Sequence, residues 1–260
     1  MSAPAFVRFL NNSNIFVAIG AACLSTESFI LTEESVSLPL VGQCFFLTWC
    51  AYLFLKEYNS KLKKPMMIFA LIGAILSSSW TMQWEDTPLL LLPIAIVLLY
   101  KTDLYSLDRI NIRYSLRKSL LFKPLAIATC WTFVTSILCG SYLHYTNDGS
   151  FTAMILANFI YILALAIAGD IRDVSIDSSQ LKTIASKLGI AKTKALCVLM
   201  VVSSFLIITL ATPAGESTNQ ILISGVIHMI TSASIALINP KRDWHWQTLL
   251  MDGLLMLRIF

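Results

Sequence analysis

Charge is scarce in this chain. Asp, Glu, Lys and Arg make up only 13% of its 260 residues, about half the share of an ordinary soluble domain. Apolar residues reach 57% and the mean hydropathy is +0.73, which excludes a typical soluble globular fold. The chain has no Walker loop, no GxSxG and no GxGxxG, so nothing points to a P-loop nucleotide site, a hydrolase nucleophile elbow or a dinucleotide fold. Its six cysteines, Cys23, Cys44, Cys50, Cys130, Cys139 and Cys197, form no CxxC pair and have no His at ligand spacing. They read as small apolar packing residues, with no zinc or disulfide framework. The start, "MSAPAFVRFLNNSN", has little of the charged beginning and small-residue cleavage site of a secretory signal, so the first apolar run is expected to be retained.

Long apolar runs are what the chain has instead. Nine are legible, approximately Ile15 to Leu31, Leu38 to Leu55, Pro65 to Met82, Leu89 to Tyr100, Leu120 to Leu138, Phe151 to Ala168, Ala195 to Thr212, Ile221 to Ile238 and Trp246 to Ile259. Most are long enough to cross a bilayer; the fourth and ninth are short, and the fourth contains Pro93, so a tilted or broken helix is expected there. The expectation is an all-α membrane protein, one polytopic domain over residues 1–260.

The loops supply an independent reading, because Lys and Arg in short loops concentrate on the cytoplasmic side. Nine spans threaded from a cytosolic N-terminus place Arg8, "KEYNSKLKK", "KTDLYSLDRINIRYSLRK" with Lys123, "GDIRDVSIDSSQLKTIASKLGIAKTK" and "NPKRD" on one side. Of the nineteen basic residues only Arg258 falls outside. The opposite loops, "TEESVS", "WEDT", "HYTNDG" and "TPAGESTNQ", contain no Lys or Arg. The C-terminus is therefore expected outside.

Three carboxylates gather just after the sixth run. Asp170, Asp173 and Asp177 stand at i, i+3 and i+7; on a helix continued to Asp177, steps of about 100° bring them within an arc of roughly 60°, with Arg172 on the other side. Clustered carboxylates repel one another unless a cation sits between them. Magnesium suits such a place where a phosphate ester must be held, since it binds through one or two carboxylates plus substrate phosphates. The alternative is a solvated helix end neutralised by Lys182, Lys187, Lys192 and Lys194.

The order of residues adds to the charge pattern. "DIRDVSIDSSQLKTIASKLGIAKTKAL" resembles the second aspartate-rich motif of the UbiA superfamily of intramembrane prenyltransferases. Asp170, Asp173 and Asp177 match its carboxylates, Lys182 and Thr183 its Lys-Thr pair, and Leu188 and Gly189 the turn before the seventh span. "LRKSLLFKPLAIATCWTFVTSIL" is similar to the family's fifth span, in which a Lys near the cytosolic end approaches the diphosphate; Lys123 occupies that place.

The resemblance implies a UbiA-like bundle of about nine helices in a bacterial inner membrane. It also implies an isoprenyl diphosphate or other polyprenyl lipid as ligand, magnesium on Asp170, Asp173 and Asp177, and transfer of the isoprenyl group to a lipid-soluble acceptor. Membrane lipid is an expected partner and nucleic acid is not.

The chain departs from the family at the first aspartate-rich motif, whose place reads "TWCAYLFLKEYNSKLKK" with Glu57 as its one acid. Two readings follow. In one, a single magnesium remains and Lys56 and Lys61 supply by direct charge what a second metal would supply, with Tyr52 in the same region. In the other the fold is catalytically silent, a lipid-binding or assembly subunit with a membrane-protein partner. Arg117, the basic residue of its loop nearest Lys123 apart from Lys118, is a further phosphate candidate, although a juxtamembrane basic loop is attracted to anionic headgroups in any case. Asn14, at the start of span one, reads as a headgroup or acceptor contact or as an interfacial cap. His228 in span eight is expected to be neutral and hydrogen-bonded, and Asp252 in span nine to lie near the outer interface beside Arg258.

Overall fold

A computed structural model describes residues 4–32, 34–55, 62–81, 87–101, 104–107, 112–114, 120–144, 149–174, 183–211, 218–240 and 244–259. Helices occupy each apolar interval: α2 (Ile15–Leu31), α3 (Leu38–Leu55), α4 (Lys63–Thr81), α5 (Thr87–Lys101), α6 (Phe122–Thr132), α8 (Gly149–Asp173), α10 (Ile190–Ala211), α11 (Thr218–Leu237) and α12 (Trp244–Met256). Two short helices accompany them, α1 (Ala5–Ser13) ahead of the first run and α9 (Ile184–Leu188) ahead of α10. A π-helical stretch, Phe133–Ile137, joins α6 to α7 (Leu138–Tyr142), and a 3₁₀ turn, Leu257–Ile259, follows α12.

Five of these segments are long and apolar enough to cross a membrane: Leu38–Leu55, Phe122–Tyr142, Gly149–Asp173, Ile190–Ala211 and Asn219–Leu237. A sixth is added if α1 and α2, bent by 62° at their junction, are taken as one span. By length and composition this is a multi-pass helical membrane protein. The helical expectation needs one amendment, because β1 (Leu104–Leu107) and β2 (Ile112–Tyr114) pair antiparallel in the loop after α5.

The core is built around α8. Tyr161, Ile162, Leu165, Ala168 and Ile171 pack against Val17, Ala21 and Leu24 of α2, Ala128 and Trp131 of α6, Val201 of α10 and Leu254 of α12. By contrast α4 and α5 expose Ile68, Phe69, Ile72, Ile75, Leu91 and Leu92, as expected of helices whose outer faces meet lipid tails rather than water. Helices α2 and α12 approach closely: a Cβ placed on Gly20 would lie 3.1 Å from Leu255 Cβ. A larger residue at position 20 would push α12 away.

Two irregularities bear on the cavity described below. Asn14 adopts the left-handed conformation (φ 56°) at the bend between α1 and α2 and makes no side-chain cap. The π-helical stretch of α6–α7 offers carbonyls to side chains of other helices: Cys44 Sγ donates to Val134 O at 2.9 Å and Ser28 Oγ to Thr135 O at 3.2 Å. A π bulge displaces backbone carbonyls from the regular helical ladder, and here side chains of α2 and α3 satisfy them.

A second polar region lies in the core. Arg258, in the closing 3₁₀ turn, is only 3% exposed. Its guanidinium reaches Glu27 Oε1 of α2 at 2.6 Å and Asn158 Oδ1 of α8 at 2.8 Å, and lies 4.6 Å from the centroid of the Tyr161 ring. Tyr161 OH in turn meets Thr231 Oγ1 of α11 at 2.8 Å. The expectation that Arg258 stands beside Asp252 at an outer interface is thereby corrected: Arg258 turns inward to Glu27, and Asp252 faces elsewhere. His228 is buried and hydrogen-bonded, with Nδ1 2.7 Å from Ser224 O and Nε2 3.4 Å from Ser204 Oγ.

Candidate functional site

A cavity of about 890 Å³ opens between α3, α4, α5, α6, α8 and α12, with the α1–α2 bend at one wall. Most of its length is apolar, lined by residues such as Leu71, Ile94, Val97, Ile127, Leu165 and Leu255. Among the described residues its charged groups are Lys101, Lys123, Asp170, Arg172, Asp173 and Asp252, three acids and three bases. A pocket of this size is within the range of about 300–1,000 Å³ usual for small-molecule sites.

Helix α8 delivers Asp170 and Asp173 in its last turn, where the partial negative charge of the helix end opposes further carboxylates. Each has a cation beside it. Lys123, from the first turn of α6, lies 2.6 Å from Asp170 Oδ1, and the Asp170 side chain is only 1% exposed. Lys123 is likewise placed against the dipole of its own helix, since a helix N-terminus disfavours positive charge. Arg172 holds Asp173 through two contacts, Nε to Oδ1 at 2.7 Å and Nη2 to Oδ2 at 3.0 Å, while its Nη1 donates to Thr248 Oγ1 of α12 at 2.9 Å. Arg172 therefore does not lie opposite the carboxylates, as ideal helical steps imply. Its long side chain folds back along the helix end and ties α8 to α12.

The expected arc of three Asp residues holds for two. Helix α8 ends at Asp173, Val174 begins a turn, and Asp177 lies outside the described residues, as do Lys56, Lys61, Arg117 and Lys182. Among the described residues no group of three His, Cys, Asp or Glu side chains is placed to hold a metal ion. The other five sequence candidates, Asp170, Asp173, Lys123, Tyr52 and Asn14, all line the one cavity. Tyr52 is fixed by Trp131, whose Nε1 donates to its hydroxyl at 3.2 Å while the rings meet edge to face at 6.3 Å. After Thr183, which forms a reciprocal capping box with Ser186, α9 runs to Gly189. Gly189 has a φ of 81°, which a glycine adopts without strain.

Sequence reasoning placed Asp252 at the outer interface and did not single out Thr248 or Lys101. Asp252 lines the cavity together with Arg172 and Tyr52. The available signal was spacing: Thr248 and Asp252 are i and i+4 on an otherwise apolar helix, hence on one face. Lys101 donates to Phe54 O at 2.8 Å and lies 3.7 Å from the centroid of the Phe54 ring, holding the ends of α3 and α5 together.

No family model, no curated protein and no solved structure matches the chain. What the fold and the site define is a class: a multi-pass helical membrane protein with an amphipathic cavity whose charged groups come from α5, α6, α8 and α12.

Proposed function

We propose that the chain is a UbiA-like membrane prenyltransferase that holds an isoprenyl diphosphate in this cavity and transfers the isoprenyl group to a lipid-soluble acceptor. One observation carries the reading: a single cavity joins an apolar channel to the ion pairs Lys123–Asp170 and Arg172–Asp173. That is the shape and polarity of an isoprenoid tail bearing a charged head. In this reading the bundle has nine spans in a bacterial inner membrane, with a cytosolic N-terminus and the C-terminus outside. The charged residues at the ends of α5, α6 and α8 then face the cytosol, where a water-soluble diphosphate head arrives.

The residues present suit magnesium by donor chemistry and by charge. Asp170 and Asp173 offer hard oxygen donors one helical turn apart on one wall, and a diphosphate brought to two carboxylates calls for a bridging cation. Bound there, the metal would neutralise the departing diphosphate and polarise its oxygens. The chain's own groups do the rest. Lys123 passes from Asp170 to a phosphate oxygen when the head group enters, which a flexible point-charge donor does readily. Arg172 stays on Asp173 and Thr248, fixing the carboxylate against α12. The apolar walls exclude water from the allylic carbon, so that the acceptor meets it first. The transferase reading assigns Asp177 to the metal and Lys182, Lys56, Lys61 and Arg117 to the phosphates; all five lie outside the described residues.

A second reading is favoured by a specific observation: both described carboxylates of the motif already have basic partners, and the place of the first motif has Glu57 alone. In it the cavity holds an isoprenoid lipid without chemistry, as part of an assembly with another membrane protein. The two separate by measurement. The protein in nanodiscs is given radiolabelled farnesyl diphosphate, with and without magnesium, and a bacterial membrane lipid extract as acceptor pool. The transferase reading expects magnesium-dependent binding and a labelled apolar product; binding without product supports the silent reading, and absence of both rejects the site. Topology is checked by cysteine labelling at positions 63 and 216, which should report opposite sides.

A further inference from the structure

The cavity contains one carboxylate that the binding of a diphosphate head does not use. We infer that Asp252 is a catalytic residue of this site, the base that takes the proton of a hydroxyl-bearing acceptor as the isoprenyl group is transferred; this rests on the transferase reading above.

Asp252 lies in "LLMDGLLM", well inside an apolar helix. An ionisable group at membrane depth is kept where it faces protein or a cavity and serves a pathway or a ligand. Its helix is anchored on both sides of it. Leu255 packs on α2 at Gly20, a Cβ placed on Gly20 would also lie 3.6 Å from the main-chain oxygen of Asp252, and one turn earlier Thr248 accepts from Arg172. The carboxylate is thus carried on a wall tied to α2 and to α8. It shares the cavity lining with Arg172 and Asp173 and stands one helical turn beyond the Thr248 to which Arg172 donates, so the acid of α12 borders the same cavity as the charged pair at which the diphosphate head is placed. Tyr52, held by Trp131, lines the same cavity.

The chemistry follows from what a carboxylate can do. Ionised, it accepts hydrogen bonds and donates none, so it selects an acceptor carrying an O–H group and aligns that group with the allylic carbon. In the step, the allylic C–O bond breaks and its electron pair leaves with the diphosphate. The acceptor's electron pair forms the new bond to the isoprenyl carbon, and the hydroxyl proton passes to Asp252. Atoms and charge balance with no oxidant or reductant. A positioned base of this kind contributes about a hundred- to ten-thousandfold in rate.

The test uses the full chain in nanodiscs, radiolabelled farnesyl diphosphate with magnesium, and the bacterial lipid extract. Wild type, Asp252→Asn and Asp252→Glu are compared for monodispersity, equilibrium donor binding and single-turnover transfer. The inference expects Asp252→Asn to bind donor within about twofold of wild type but to lose at least about a hundredfold in transfer, with Asp252→Glu recovering a substantial part. Asp252→Asn transferring normally, or losing donor binding in step with transfer, overturns the role assigned to Asp252 and leaves the transferase reading standing. Wild type that binds donor and transfers nothing overturns the transferase reading itself, and the base with it.

Discussion

Two ion-paired regions use charge in opposite ways. At the cavity, Lys123–Asp170 and Arg172–Asp173 border open space, with Lys123, Arg172 and Asp173 partly exposed. In the core, Arg258–Glu27 is sealed among α2, α8 and α11, with Asn158, Tyr161 and Thr231 around it and no place in the cavity lining. The sealed pair is also incompletely satisfied: Glu27 Oε2 and Arg258 Nη1 have no hydrogen-bond partner among the described residues. Desolvation weighs heavily on such a pair, so its net contribution is small, while loss of one partner is costly. It specifies how the C-terminal turn docks. At the cavity Asp170, Asp173 and Lys123 stand against their own helix dipoles, Arg172 complements that of α8, and the pairs border the cavity, the condition a site must meet if its charges are to exchange partners.

The largest effect that tests this contrast is expected in the core. Arg258→Met leaves Glu27 buried without its partner and should destabilise by about 3–5 kcal/mol, read as a lower unfolding midpoint in detergent. Joint replacement, Glu27→Leu with Arg258→Met, should restore wild-type stability or exceed it. If the double variant is as unstable as the single one, the pair is stabilising in its own right and the contrast fails.

At the cavity the expectation is reversed. Lys123→Ala should leave the unfolding midpoint nearly unchanged while weakening isoprenyl diphosphate binding by about ten- to a hundredfold, the worth of one charge-assisted contact. A large stability loss with unchanged binding would class Lys123–Asp170 with the core pair. Asp173→Asn should weaken magnesium dependence and also loosen Arg172 from its bidentate contact, a smaller binding loss of about tenfold. The smallest effect belongs to Tyr52→Phe, which removes one hydrogen bond with Trp131 and should cost about 0.5–1.5 kcal/mol in stability.

Much of the architecture was legible because a bilayer reduces the choices: apolar runs must be helices, and their ends follow from charged and turn-forming residues. The limits of α2 and α3 coincide with the runs Ile15 to Leu31 and Leu38 to Leu55. The hairpin of β1 and β2 was not legible, since Leu104–Leu107 and Ile112–Tyr114 lie in a basic loop with no strong alternation. At the site, Asp170 and Asp173 were singled out from their spacing at a span end, Lys123 and Tyr52 from the resemblance to family motifs, and Asn14 from position. Arg172 was misplaced because ideal helical angles fix the Cβ direction and not the reach of a long side chain. Asp252 and Arg258 were paired by proximity in sequence, whereas six residues along a helix put them far enough apart for one to face the cavity and the other Glu27.

The central claim, that the cavity holds an isoprenoid by its tail and its charged head together, is tested most directly by photolabelling. A farnesyl diphosphate analogue with a photoreactive group on the terminal isoprene unit is irradiated with the protein in nanodiscs, and the modified residues are mapped by mass spectrometry. Labelling should fall on cavity residues of α4 and α5 such as Leu71, Ile94 and Val97, be competed by unlabelled farnesyl diphosphate with magnesium, and fade in Lys123→Ala. Labelling confined to the lipid-facing residues Ile68, Ile72 and Ile75, unaffected by competitor or by the substitution, would contradict the account.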